Sequence, residues 1–516
     1  MPRRPKPKDG LTAGQRVALY EAELEERRRK MLGEGASDDN GRAISDANGD
    51  KIETVDPVES TKNERNVRKP LPKPQYATVN VDLSLKMGKI KPLHSMCNGP
   101  VSYGADISPL FREIGVPYVR FDCTDSAVSS YAVDVSRIFK YPDADPSDPE
   151  SYDFKVTDKY VEAAYLSGAK VIFRLGESVD AFGSHKIPRI YNENDVLARV
   201  CVNIIRHYNE RWAGGYEFDI EYFDLSGIAP DGESEFEGYR NLANSLKLYD
   251  EELKVGGMSF DVFSGRAREF LRFCRKNRAP LDFISVDCFA SDPGRAFDEL
   301  TRLSALKMSL GFDDLEIILG KWGYIDAELE RSGLLGDIAS NKDKALFKKL
   351  LEEQRGVSGA AYAMAMMLTL QDVEGIKTAC FYDAQPVISP FCSIADAFGE
   401  PLKPYYCFKA FGELYKAGNR TFAESVQTEG MAHSGVYACA AVSESGEAYV
   451  LIASFKGCGV VDLRIDGIAD NLYTADVYML DGVKNMSLAD SVPLSGMKKR
   501  VLLNVSEHGA VLVKLY

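Results

Sequence analysis

The chain has 516 residues, 45% of them hydrophobic, with five histidines, ten cysteines and a formal net charge of -14. That length and apolar content suffice for a large core and more than one structural layer. The acidic balance argues against a nucleic-acid or anionic-membrane partner, since both select basic surfaces. The histidines show no HxxxH or HxH spacing and no two cysteines form a CxxC pair, so neither a metal site nor a bound cofactor is expected.

Residues 1–75 differ in composition from the rest. They hold 16 Lys/Arg against 14 Asp/Glu, a near balance inside an acidic chain. Residues 12–32 read as a charged helix with Thr12 as N-cap and only a narrow apolar stripe of Val17, Tyr20, Leu24 and Met31. From Gly33 to Gln75 the composition of Gly, Asp, Asn, Lys and Pro predicts a largely disordered tail, a candidate segment for recruiting a protein partner. No apolar h-region follows the basic start and no run of 18 apolar residues occurs, so a cytoplasmic location without membrane spans is the expectation.

From Tyr76 the pattern becomes period-two alternation over 77–83, the mark of a strand. Strand-like runs at 89–96, 117–122, 170–175, 218–225, 254–258, 282–287, 315–319 and 376–383 then alternate with amphipathic stretches at 158–169, 194–211, 236–248 and 266–277. Eight short β-runs separated by helices predict a closed (β/α)8 TIM barrel, within the α/β class, over residues 89–418. An open doubly wound sheet would want a Gly-rich phosphate turn after an early strand, and the sequence has none. Helical periodicity stops near Gly418. Short alternating runs at 436–442, 448–455, 460–465, 475–480, 499–505 and 510–515 predict a C-terminal β-sandwich over 419–516. The strand at 76–88 has no place in an eight-stranded barrel and is expected to join that sandwich.

Several segments resemble glycoside hydrolase family 39, the β-xylosidase and α-L-iduronidase family, in family order from about Thr78 onward. His94-Ser95-Met96-Cys97-Asn98-Gly99-Pro100 is similar to its first-strand motif and Pro117-Tyr118-Val119-Arg120-Phe121-Asp122 to its second. Arg174-Leu175-Gly176, Arg206-His207-Tyr208-Asn209, Ile220-Glu221-Tyr222, Lys254-Val255-Gly256-Gly257 and Tyr382-Asp383-Ala384-Gln385-Pro386 follow. The resemblance implies a glycosidase-like barrel with a carbohydrate site at the C-terminal strand ends, where barrel sites lie. Asn98, Arg120, Trp322, Tyr382 and Asp383 are its candidate substrate-binding residues.

The same resemblance implies two catalytic glutamates, an acid/base after the fourth barrel strand and a nucleophile on the seventh. Retaining hydrolysis needs such a pair of carboxyl groups flanking the bond. Here Leu225-Ser226-Gly227-Ile228-Ala229-Pro230-Asp231 replaces the acid/base motif, so that position falls on Ile228 or Ala229, neither able to donate a proton. The nucleophile motif becomes Gly320-Lys321-Trp322, and a lysine cannot form the usual glycosyl ester. Asp122 and Asp287 stand where the family has histidines. Lys321 is expected to pair with Asp287 or Asp122, Asp224 to hydrogen-bond inside the barrel, and His207 to be structural.

Three functional readings follow. The first is a pseudo-glycosidase, without the usual acid/base and nucleophile, that binds carbohydrate or serves as a scaffold. The second is an active O-glycosidase, β-xylosidase-like, using the displaced carboxylates Asp122, Asp224, Asp231 or Asp287. The third is an interaction module acting through residues 1–75.

Overall fold

The computed structural model describes residues 76–516 apart from 103, 125–130, 142, 179–193, 229–232, 328, 330–343, 427–434, 458, 469–473 and 495–498. The predicted helix at 12–32 and the tail around it lie outside the described residues. Eight parallel strands close a barrel: β2 (Ser95–Cys97), β3 (Tyr118–Arg120), β4 (Lys170–Arg174), β5 (Tyr222–Asp224), β6 (Lys254–Asp261), β7 (Phe283–Ala290), β8 (Glu316–Tyr324) and β9 (Ile376–Phe381). The helices Lys155–Leu166, Asn194–Asn209, Glu233–Tyr249, Arg266–Asn277 and Pro293–Ser309 lie between these strands in the chain.

Alternation along the strands sorts side chains into two apolar layers. Tyr118, Ile172, Tyr222, Phe283, Ile318 and Cys380 share the cluster inside the barrel. Val119, Phe173, Phe223, Val255, Ile284 and Ile317 belong to the larger cluster between strands and helices. The first barrel strand is shorter than its predicted run of 89–96. Lys89 still belongs to β1 (Tyr76–Lys89), where it pairs with Asn419, and Pro92 has no N–H to give to a ladder.

Beyond the barrel, β1 joins β10 (Asn419–Val426), β11 (Val436–Val442), β12 (Ala448–Phe455), β13 (Val460–Asp466), β14 (Thr474–Leu480), β15 (Asn485–Pro493), β16 (Lys499–Asn504) and β17 (His508–Leu515). The predicted sandwich strands form one hydrogen-bonded sheet of nine, in the order β15-β14-β17-β12-β11-β10-β1-β13-β16. The strand left over from the barrel count sits inside this sheet, antiparallel to β10 and parallel to β13.

Strand β12 explains how sheet and barrel meet. Val450 and Ile452 point into the sheet's own core, whereas Leu451, Ala453 and Phe455 join the barrel's outer cluster. The helix Val357–Thr369 is buried on every side from Gly359 to Leu368, as a helix must be when it is apolar all round. Barrel and sheet accordingly form one compact unit, Pro72–Tyr516. No described helix is long and apolar enough to cross a membrane.

Candidate functional site

The C-terminal ends of the barrel strands converge on an ion network. Asp122, just past β3, is its hub: Lys321 Nζ stands 2.9 Å from its Oδ2, Arg120 Nη1 3.2 Å from the same oxygen, and Arg174 Nε 3.7 Å from Oδ1. Each cation has a second acid. Lys321 also meets Asp287 at 3.1 Å, Arg120 meets Asp224 at 2.8 Å, and Arg174 donates to Asp134. The expected partners of Lys321 are therefore both present, and Asp224 hydrogen-bonds inside the barrel, as anticipated. Burial by itself would raise the Asp122 carboxyl, but Lys321, Arg174 and Arg120 outweigh it and hold that group well below the usual carboxylate range. Burial would likewise lower Lys321, and its two carboxylates raise it instead. Asp287 goes the other way: burial pushes it up to about 6 against the pull of Lys321 and Arg120.

A bulge on β8 delivers Lys321 to this network. Val286 of β7 faces Leu319, yet the next residue, Asp287, faces Lys321, so Gly320 is the extra residue. A one-residue slip reverses which side chains face inward. Leu319 and Trp322 both fall in the outer cluster while Lys321 turns inward. Gly320 suits the crowding there, since a Cβ would stand 3.3 Å from the Arg120 guanidinium carbon.

The bulge corrects the expectation for Trp322. With unbroken alternation it would face the barrel interior as a sugar platform; instead it is wholly buried, its ring 5.0 Å from Phe381 and 6.3 Å from Phe408. Asn98 and Arg120 also act as braces rather than open sugar contacts. Asn98 Oδ1 accepts from Asp122 N at 2.9 Å and from Thr124 Oγ1 at 2.8 Å, and Arg120 adds Ser259 Oγ at 2.5 Å to its two carboxylates. Both residues are fully buried. Tyr382 packs against Phe289 and Phe391, each 5.9 Å away. Asp383 accepts from Gln385 Nε2 at 2.6 Å and from Gln385 N at 3.0 Å, and burial pushes it up to about 7 despite those bonds.

Next to the expected acid/base position the backbone itself is close-packed. Gly227 has φ +79, and a Cβ there would stand 2.0 Å from Glu177 O. Glu177 N donates to Gly227 O at 3.2 Å, locking the ends of β4 and β5 together. Ile228 is buried and belongs to the larger apolar cluster. Ala229 and Asp231 lie outside the described residues.

Sequence reasoning missed Asp134, Ser178 and Glu177. Asp134 ties Arg174 to Ser178, accepting from Ser178 N at 2.8 Å and Oγ at 2.6 Å. Glu177 accepts from Ser136 N at 2.9 Å; burial, then the charge of Asp134, pushes its carboxyl up to about 7. A carboxyl directly after the β4 run Arg174-Leu175-Gly176 was a legible signal, because barrel sites gather at strand ends. His207, expected to be structural, stacks 3.5 Å over Phe154 and is bonded to Asp158 at 3.0 Å and Trp212 O at 2.9 Å.

A closed parallel barrel with charged residues at its C-terminal strand ends, joined to a strand-rich C-terminal region, is a (β/α)8 barrel fold with an appended sheet. A family model described as glycosyl hydrolases family 39 matches residues 206–300, which agrees with the resemblance read from the motifs. Among solved structures the chain is similar to a glucosidase from Croceicoccus marinus, at 20% identity and a TM-score of 0.68, covering 86% of this chain and 99% of that one. It is also similar to a GH39 enzyme from Xanthomonas axonopodis pv. citri, at 13% identity and a TM-score of 0.61, covering 85% and 97%. A GH39 β-xylosidase from Caulobacter crescentus follows at 13% and 0.57, covering 85% and 99%. At such identities the likeness is one of fold. No curated protein matches the chain in sequence.

Proposed function

We propose that this chain is a pseudo-glycosidase: a family-39-like barrel that binds carbohydrate at its mouth, or scaffolds a partner there, without hydrolysing glycosides through the family's catalytic pair. The observation carrying this reading is Lys321, which occupies the nucleophile position and holds Asp122 and Asp287 at 2.9 and 3.1 Å. A nucleophilic carboxylate must be free to attack the anomeric carbon. Asp122 is engaged by three cations, and the described acid/base candidate, Ile228, is an apolar residue buried in a hydrophobic cluster.

One observation favours a second reading, an active glycosidase using Asp122 and Asp287. These carboxyls flank one point and are driven apart in acidity, Asp122 down and Asp287 up to about 6, a pattern shared by acid/base pairs. Calorimetric titration with xylose and xylobiose, beside a nitrophenyl xyloside assay, separates the two. Binding without nitrophenol release supports the pseudo-glycosidase. Release that disappears in Asp287→Asn supports the second reading, and neither binding nor release removes the carbohydrate role.

A further inference from the structure

Two short segments beside the ion network hold each other through a reciprocal pair of acids. Asp134, just before the helix Val135–Ile138, accepts from Ser178 N at 2.8 Å and from Ser178 Oγ at 2.6 Å. Glu177, just past β4, accepts from Ser136 N at 2.9 Å and from Ser136 Oγ at 2.5 Å. Each carboxyl thus takes both protons of a serine on the opposite segment. A fifth bond, from Val135 N to Gly176 O at 3.2 Å, runs between the two segments. The arrangement is written into the chain as an acid close to a serine twice over, Asp134-Val135-Ser136 and Glu177-Ser178.

The same geometry brings two acids together in a buried place. Asp134 has a cation, since Arg174 donates to it, whereas Glu177 is held by a neutral serine. Among the described residues, the charged groups facing Glu177 are Asp134 on the opposite segment and Arg174 on its own strand. The Cys201 thiol faces it from the helix Asn194–Asn209, and Gly227 at the end of β5 brings a backbone carbonyl. A proton on Glu177 leaves the bonds in place, because a serine hydroxyl accepts as well as donates. The acid O–H then gives to Ser136 Oγ while its carbonyl oxygen still accepts from Ser136 N. Losing that proton to solvent sets a second negative charge beside Asp134 where little water screens it.

We propose that these two acids and two serines form a pH-sensitive clasp, closed when Glu177 carries a proton and loosened when it gives that proton to water. The clasp reaches the hub of the ion network by two routes. Arg174 joins Asp134 to Asp122, and Cys123 N donates to Ser178 Oγ at 3.0 Å. Its state therefore sets how firmly the end of β3 is held. Burial, then the charge of Asp134, raises the Glu177 carboxyl from 4.5 to about 7 in the closed form, against the pull of Ser136 and Arg174. The advantage of the closed form is accordingly complete below 4.5 and is lost as pH rises through about 7.

The test is backbone hydrogen exchange of the full-length chain at about pH 6 and about pH 8, corrected for the intrinsic pH dependence of exchange. Residues 134–136 and 176–178 are expected to lose about tenfold in protection between the two, as a group titrating at about 7 requires. Residues 121–124 are expected to lose protection with them, while β12, in the sheet beyond the barrel, keeps its own. Glu177→Gln retains an oxygen to accept from Ser136 N and is expected to show the same protection at both pH values. Equal protection of 134–136 at both pH values in the unaltered chain overturns the clasp, whether or not the variant folds. A loss that persists in folded Glu177→Gln, or one shared by β12, overturns it as well. A loss at 134–136 and 176–178 that leaves 121–124 unchanged overturns the link to Asp122.

Discussion

With 4% of its side chain exposed and a carboxylate on each side, Lys321 is stable as an ammonium only because Asp122 and Asp287 replace the water it has lost. Removing one member of a buried pair strands the other, typically at about 3–5 kcal/mol. Lys321→Ala is therefore expected to destabilise the barrel on that scale, read as a fall in the denaturant midpoint; a midpoint equal to the parent's would show that the lysine is solvated. Lys321→Glu is expected to restore no glycosidase activity, because Ile228 still offers no proton. Asp287 gives a pH signature. Its folded carboxyl, at about 6, lies above the ordinary aspartate value of 3.8, so folding takes up a proton and this group favours the folded state most below 3.8. That contribution falls as pH rises from there through about 6. Asp122 has the opposite sign, its contribution being present above 3.8 and lost as pH drops towards its depressed value. Asp287→Asn should therefore flatten the loss of stability between about pH 4 and pH 6, measured by urea unfolding across that window. An unchanged slope would mean that Asp287 titrates normally.

The β8 bulge shows what pattern reading misses. Residues 315–319 were legible as a strand because four of the five are apolar, but the strand continues to Tyr324 through Gly320 and Lys321, where the alternation that sequence reasoning relies on slips by one. That slip moved Trp322 from an expected sugar platform to the layer behind the barrel. Trp322→Ala should cost about 3–5 kcal/mol by opening a cavity beside Phe381 and Phe408, while saccharide affinity stays the same; a selective loss of affinity would return the tryptophan to the site. Strand β15 escaped notice for a different reason. It is a sheet edge with most side chains exposed, so no apolar period marks it. Strand β1, by contrast, was readable from its alternation at 77–83 and from being one strand too many for the barrel. Because it pairs on both sides, a chain beginning at residue 90 should lose its cooperative melting transition, whereas one beginning at Tyr76 should keep the parent's melting temperature. Equal melting of the two would make β1 dispensable.

At the scale of the whole molecule, fold and chemistry were legible to different degrees. Barrel and sheet follow from repeated patterns spread over hundreds of residues, so single errors at strand ends average out. The site follows from a few side chains whose directions depend on a bulge at Gly320, a tight contact at Gly227 and a loop carboxylate, Asp134. None of these has a periodic signature. The sequence reading expects two carboxylates to be replaced, and the geometry shows where the lysine at one of those positions goes: Lys321 sits in an internal ion network centred on Asp122. On the function proposed here, this network does not perform the family's hydrolysis. The most direct measurement is nitrophenol release from a panel of aryl β-xylosides, α-iduronides and β-glucosides by the purified full-length chain, between about pH 5 and pH 7, where Asp287 changes its protonation. The account predicts release no faster than the buffer blank for every substrate. Turnover above the blank that is abolished by Asp122→Asn or Asp287→Asn would contradict it, and would make the pair bridged by Lys321 catalytic.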